Sequence, residues 1–104
     1  MSTPIKAAKV TLVTVITGFE MKERVISDLT RLGVTGCTIV RADGHGLHGT
    51  RKFGLLDGAN VQIETLVDAQ LAKKILELIE TDYTGEPILA FAHEVQAVAF
   101  ERFA

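Results

Sequence analysis

Residues 43–58 read Asp-Gly-His-Gly-Leu-His-Gly-Thr-Arg-Lys-Phe-Gly-Leu-Leu-Asp-Gly, and they separate two segments that both have the composition of β-strands. Five of the nine glycines of the chain fall in this stretch. Because glycine loses more conformational entropy on folding than other residues, such a loop indicates an unusual backbone path or the close approach of a ligand. Backbone N–H groups of the motif Gly44-x-Gly46-x-x-Gly49, with Arg51 behind it, are donors suited to phosphate oxygens. We therefore expect this loop to carry the function.

The sequence before the loop predicts a strand, a helix and a second strand, in that order. Residues 9–17 are β-branched almost throughout and predict a largely buried strand. Thr17-x-x-Glu20 has the spacing of a capping box, and Gly33 stands where a C-cap glycine ends a helix. Residues 36–42 predict the second strand. The apolar face of the helix between the caps consists of Met21, Val25, Ile26, Leu29 and Leu32.

The chain after the loop repeats this pattern. Residues 59–67 alternate in part and predict a third strand, and Asp68 is a suitable N-cap for a helix that fades near Tyr83. A turn at 84–87 leads into a fourth strand over 88–92, which residues 94–100 either extend or follow as a short fifth strand. The resulting order β-α-β-β-α-β predicts an α/β (α+β) ferredoxin-like fold with a long loop between the second and third strands.

Length and composition predict one domain over residues 1–104 and exclude several functions. A chain of 104 residues leaves apolar surface uncovered, so we expect a homo-oligomer. The net charge of −2 argues against binding to nucleic acid. No apolar run approaches the roughly 18 residues that span a bilayer, and no signal peptide is recognisable. Because Cys37 is the only cysteine, no intrachain disulfide can form, and we expect a cytoplasmic location.

Two segments resemble the PII-like signalling proteins. Gly36-Cys37-Thr38-Ile39-Val40-Arg41-Ala42-Asp43-Gly44-His45-Gly46 resembles the strand and Gly-x-Gly loop base of that family, and residues 61–68 resemble its third strand. With the order of the elements, the resemblance extends over nearly the whole chain. It implies a homotrimer that binds adenine nucleotides in clefts between neighbouring subunits. It also implies that the long loop at 43–58, the T-loop, docks on a protein partner, so that the chain is a sensor and not an enzyme.

The resemblance also implies which residues contact the nucleotide. Gly44, Gly46, Leu47 and His48 match the phosphate-contacting loop base, whereas Thr38, Glu64 and Leu66 match the lining of the nucleoside pocket. The complete set of candidate nucleotide-binding residues is Thr38, Gly44, His45, Gly46, Leu47, His48, Gly49, Arg51, Glu64 and Leu66.

Departures from the larger family members favour a smaller branch, whose members are associated with bicarbonate transporters and carboxysomes. Residues 43–58 contain no tyrosine, so modification by nucleotidylation is not expected. The turn at 84–87 is short and lacks the phosphate-gripping lysine. The branch implies ADP or AMP as the favoured ligand, with ATP, cyclic AMP and bicarbonate as further candidates. It also implies a bicarbonate transporter or carboxysome component as the protein target. Many members have arginine where this chain has His48, so phosphate affinity here can depend on pH.

Other interpretations stay open. A metal-binding trimer of the same fold, resembling copper-tolerance proteins, would use His45, His48 and Cys37, with His93 as a further ligand, although we expect no metal. A structural docking module would use the loop without any small molecule. Glu64 fits a solvated sheet face as well as a pocket, and we interpret Cys37 as a small core residue. No nucleophile with a nearby base is recognisable, so no catalytic residue is assigned.

Overall fold

The described residues form a four-stranded antiparallel sheet covered on one face by two helices. The computed structural model describes residues 7–44 and 58–98. Neighbouring strands lie in the order β2-β3-β1-β4. This confirms the predicted ferredoxin-like α+β fold. The elements are β1 (Ala7–Gly18), a 3-10 turn (Phe19–Met21), α1 (Lys22–Leu32), β2 (Thr38–Gly44), β3 (Gly58–Val67), α2 (Ala69–Asp82) and β4 (Ile88–Val98).

The core lies between the sheet and the helices. Successive strand residues point to opposite faces, so every second residue of the central strands β1 and β3 meets the helices. Among the described residues, both helices pack on one face of the sheet, and on the opposite face Val40 and Phe91 are each 44% exposed. The buried core includes Val13, Val15, Val61 and Ile63 from the strands and Val25, Leu29, Ala72, Ile75 and Ile79 from the helices.

Three local predictions about the helix ends are confirmed. Gly33 adopts a φ of 113° and donates its N–H to Leu29 and Thr30 carbonyls, which only glycine does without strain. Asp68 accepts a hydrogen bond from the N–H of Leu71 at 2.7 Å. Helix α2 ends at Asp82, next to Tyr83, where the sequence predicts its end.

The predicted capping box is wrong. Strand β1 continues through Gly18, and α1 begins only after the 3-10 turn, with Met21 at its N-cap and no side-chain cap. Thr17 instead donates its hydroxyl hydrogen to the carbonyl of Pro87 at 2.9 Å. Pairing of Thr17 with both β3 and β4 holds this residue in the sheet, and that pairing outweighs the local helix signal.

The fourth strand is longer than its first predicted segment. Strand β4 runs without a break from Ile88 to Val98 and pairs with β1 from Thr17 to Ala7. Of the two alternatives for residues 94–100, extension is therefore correct up to Val98, and residues 99–104 lie outside the described part. Within residues 7–44 and 58–98, no helix is long and apolar enough to cross a membrane.

Candidate functional site

An open groove of about 840 Å³ lies at one end of the sheet. We call it the sheet-end groove. It brings together Thr38, Glu64 and Leu66, three residues that sequence analysis assigned to a nucleoside pocket. Its lining consists of residues 33–38, residues 64–67, Leu12, Leu71, Ala97 and Val98.

Strand register places the three candidate residues side by side. Thr38 on β2 pairs with Glu64 on β3, so the hydroxyl and the carboxylate stand on the same face of the sheet. Leu66 follows two residues later on that face. Glu64 is half-buried, which favours a groove position over a fully solvated one. The structure therefore brings these three residues together, and their role in binding stays a prediction.

The connection between α1 and β2 forms one wall of the groove. The N–H of Val34 donates to the carbonyl of Leu29 at 3.0 Å, which completes the helix cap at Gly33. The hydroxyl of Thr65, which is 5% exposed, donates to the carbonyl of Gly36 at 2.7 Å. These bonds fix the wall to both α1 and β3.

The groove lining is apolar apart from Glu64, several threonines and backbone groups. No lysine, arginine or histidine lines it among the residues that the structure describes. Apolar walls suit a flat ring, and the Glu64 carboxylate suits hydroxyl groups on an adjoining part of the same ligand, because ionised glutamate only accepts hydrogen bonds. An anionic part of the same ligand therefore needs cationic partners from elsewhere.

The predicted phosphate-contacting loop begins at the other end of β2. Gly44, the last residue of β2, pairs with Gly58, the first residue of β3. Gly44 is six residues from Thr38, which at about 3.3 Å per residue places it about 20 Å along the strand. The candidates His45, Gly46, Leu47, His48, Gly49 and Arg51 lie outside the described residues.

A small pocket of about 200 Å³ adjoins this loop base. We call it the loop-base pocket, and its lining consists of Phe19, Arg41, Ala42, Asp43, Ala59 and Asn60. The guanidinium carbon of Arg41 lies 5.0 Å from the centre of the Phe19 ring, and Lys22 Nζ lies 5.3 Å from it. Sequence analysis missed this contact. Its only signal is that Arg41 and Asp43 alternate onto one face of β2, and the strand order is needed to bring Phe19 there.

The sequence and the fold both match known proteins. The family model of Nitrogen regulatory protein P-II matches residues 10–101. The chain belongs to the P-II family. No curated protein matches the chain.

Several solved structures share this fold. CPII from Thiomonas intermedia K12 bound to ADP and bicarbonate is 28% identical, with a TM-score of 0.79 over 97% of this chain and 100% of that chain. The same protein bound to ADP, AMP and acetate is 27% identical, with a TM-score of 0.78 over 95% and 98%. A protein of Thermus thermophilus assigned to the PII-like signaling proteins is 25% identical, with a TM-score of 0.79 over 96% and 100%.

The interpretation of Cys37 as a core residue is wrong. Cys37 is exposed and precedes β2, where it lines the sheet-end groove. The physical reason is that β2 is an edge strand, so its first residues have a neighbour on only one side. Partial burial raises the pKa of the Cys37 thiol above its usual value.

The metal-binding alternative gains no support from the described residues. Within 7–44 and 58–98, no three histidine, cysteine, aspartate or glutamate side chains are arranged to hold a metal ion. His93 lies inside β4, five residues beyond Ile88 and therefore away from the loop end of the sheet. His45 and His48 lie outside the described residues, so their pairing stays untested.

Proposed function

We propose that this P-II family protein is a regulatory sensor and not an enzyme. It binds ADP or AMP, with bicarbonate as a further ligand, in clefts between the subunits of a homotrimer. The observation that carries this proposal is the distance between the two halves of the candidate site. The sheet-end groove holds the apolar walls and Glu64, whereas the glycine-rich loop begins about 20 Å away at Gly44.

That separation supports a site shared between subunits. A nucleoside diphosphate does not reach from Thr38 to Gly44 along one strand. A single subunit would supply both halves only if its loop folded back along β2. In a symmetric ring, each subunit gives its groove to one cleft and its loop base to the next. Exposed apolar residues on the uncovered sheet face, such as Val40 and Phe91, provide surface for such contacts.

The chemistry of the groove supports an adenine nucleotide. An adenine ring would pack against Leu66 and Leu12, while the Glu64 carboxylate accepts hydrogen bonds from ribose hydroxyls. The structures of CPII contain ADP with bicarbonate, or ADP with AMP and acetate, on a backbone that matches this one closely. Since no described cation lines the groove, the phosphates would bind at residues 44–49 and Arg51 of the neighbouring subunit.

In the proposed signalling mechanism, the bound phosphates select one conformation of the loop at 43–58. To raise the population of that conformation from one tenth to nine tenths, the ligand must prefer it by about 80-fold, or about 2.6 kcal/mol. One or two charge-assisted hydrogen bonds of about 1.5–3 kcal/mol each provide this preference. The selected conformation would then bind a target in the cytoplasm, such as a bicarbonate transporter or carboxysome component.

Calorimetric titration of the purified protein tests the ligand. ADP, AMP, ATP and cyclic AMP are each titrated with and without bicarbonate, and the mass in solution is measured by analytical ultracentrifugation. We expect a trimer that binds ADP or AMP at one site per subunit. A failure of all four nucleotides to bind would contradict the sensor proposal. A monomer that binds ADP at full affinity would contradict the shared site.

A further inference from the structure

The end of β1 contacts two segments that flank it at the loop end of the sheet. We call residues 17–19 the β1 corner. Thr17 is fully buried and donates its hydroxyl hydrogen to the carbonyl of Pro87, also buried, at 2.9 Å. This bond fixes the turn at 84–87, which leads directly into β4.

The third residue of the corner contacts the strand that carries the loop. Phe19 is 44% exposed, and the guanidinium of Arg41 lies 5.0 Å from its ring centre. Strand β2 does not neighbour β1, because β3 lies between them. Arg41 pairs with Val61, and Val61 pairs with Thr17, so the Arg41 side chain crosses one whole strand to reach Phe19.

This contact matters because β2 has little other support. Its residues from Thr38 to Arg41 are all exposed, and among the described strands its backbone pairs only with β3. An edge strand of this kind opens more readily than a central one. The contact between Arg41 and Phe19 lies three residues before Gly44, where the loop begins. It therefore restrains the loop-bearing end of β2 in addition to the backbone pairing with β3.

We propose that the β1 corner holds the loop-bearing end of β2 and the turn at 84–87 in a fixed relation, and that Phe19 and Arg41 are positioning residues for nucleotide binding. The inference rests on the proposed function, since β2 leads into the loop that we expect to contact the phosphates, whereas the turn at 84–87 lacks the phosphate-gripping lysine of the family. A loop base held in place before binding spares the ligand the cost of ordering it. Neither residue needs to touch the nucleotide.

Hydrogen exchange on the ligand-free protein tests the restraint itself. Phe19→Leu keeps an apolar side chain but removes the ring face, and Phe19→Tyr is the matched control because it keeps an aromatic ring at the same position. We expect exchange at the amides of residues 41–44 to accelerate about two- to five-fold in Phe19→Leu, the equivalent of about 0.5–1 kcal/mol for an exposed cation–π contact. Phe19→Tyr should leave these amides unchanged. Unchanged exchange in Phe19→Leu would overturn the proposal.

A separate variant tests the contact between the β1 corner and the turn at 84–87. Thr17→Val keeps the shape of the side chain and removes the hydroxyl, so the carbonyl of Pro87 loses its partner. Exchange should then accelerate at the amides of Glu86 and Ile88, which bond within this turn. Unchanged exchange there would remove the turn from the proposal.

Affinity for ADP tests the positioning role. Phe19→Leu and Arg41→Gln should each weaken binding about two- to five-fold while the trimer stays intact. The double variant should bind ADP no more weakly than the single variant with the lower affinity, because both changes remove the same contact between Arg41 and Phe19. If the loss of affinity in the double variant is the product of the two single losses, the positioning role is overturned. It is also overturned if both single variants bind ADP as tightly as the wild type. In either case the proposed function stands. If the wild-type protein binds no ADP, the proposed function and the positioning role are both overturned. Hydrogen exchange then still tests whether the β1 corner restrains β2 and the turn at 84–87.

Discussion

Tyr83 donates its hydroxyl hydrogen to the carboxylate of Asp28 at 2.6 Å, and this bond joins the end of α2 to the middle of α1. Both residues are largely buried, and the second oxygen of Asp28 pairs with Arg31. The guanidinium of Arg24 stacks 4.2 Å from the Tyr83 ring centre. The two helices are thus connected by a polar contact in addition to apolar packing.

Replacing Tyr83 with phenylalanine should destabilise the protein without changing its shape. The change removes the hydrogen bond and leaves one oxygen of a buried carboxylate without its donor, which costs about 1–3 kcal/mol of unfolding free energy. Urea denaturation measures the loss. Arg31→Gln is the control and should lower stability by less than about 1 kcal/mol, because the Arg31 side chain is largely exposed. Equal losses in the two variants would contradict the importance of the tyrosine bond.

The same contact predicts instability at alkaline pH. Burial, together with the hydrogen bond to Asp28, raises the pKa of Tyr83 above its usual value of about 10. Above that pH the unfolded chain loses the tyrosine proton while the folded chain keeps it, so stability falls as pH rises, by up to about 1.4 kcal/mol per pH unit. Below pH about 10 this contribution is fully present.

Alkaline titration can be followed directly, because Tyr83 is the only tyrosine of the chain. Ultraviolet absorbance of tyrosinate should appear only together with unfolding. Tyr83→Phe should lack the corresponding part of the alkaline destabilisation. Tyrosinate formation in a fully folded protein near pH 10 would contradict the raised pKa.

Glu64→Gln should weaken ADP binding by about ten-fold or more, since a hydrogen bond to a charged group contributes about 1.5–3 kcal/mol. Glu94→Gln, on exposed β4, is the matched control and should bind as the wild type does. Isothermal titration measures both. Wild-type affinity in Glu64→Gln would remove this carboxylate from the site.

Arg51→Ala should weaken nucleotide binding while the oligomer remains intact. Lys52→Ala changes the adjacent cation and should have a smaller effect, because only arginine presents two parallel donors to a phosphate. Titration with ADP, together with ultracentrifugation, checks both variants. Equal losses in the two would indicate general attraction by positive charge rather than a specific arginine contact.

Mixing two defective variants tests whether the site is shared. After the subunits of Glu64→Gln and Arg51→Ala are unfolded together and refolded, mixed trimers contain some clefts with an intact groove from one subunit and an intact loop from the other. High-affinity ADP binding should therefore reappear at a fraction of the sites. If each site lies within one subunit, the mixture should bind no better than the separate variants.

The features that sequence analysis predicted correctly depend on neighbouring residues. Gly33 ends α1 because the left-handed conformation there favours glycine, and Asp68 begins α2 because its carboxylate reaches an N–H three residues ahead. β-branched composition likewise identifies β1. The family resemblance, rather than any local pattern, placed Thr38, Glu64 and Leu66 in one pocket, and the strand register does bring them together.

The features that it missed depend on residues far apart in the chain. Thr17 has a good helix-capping pattern, yet its hydroxyl bonds a carbonyl 70 residues away. Cys37 looks like a core residue until the strand order shows that it precedes an edge strand. The contact between Arg41 and Phe19 spans an intervening strand.

Sequence by itself thus determined the strands, the helices, several of their ends and the family, because caps, periodicity and motifs act over a few residues. Only the tertiary structure decided that the groove and the loop base lie at opposite ends of β2, and that the β1 corner contacts both β2 and the turn before β4. The physical reason is that sheet order and register are set by packing of the whole core, which no local pattern encodes.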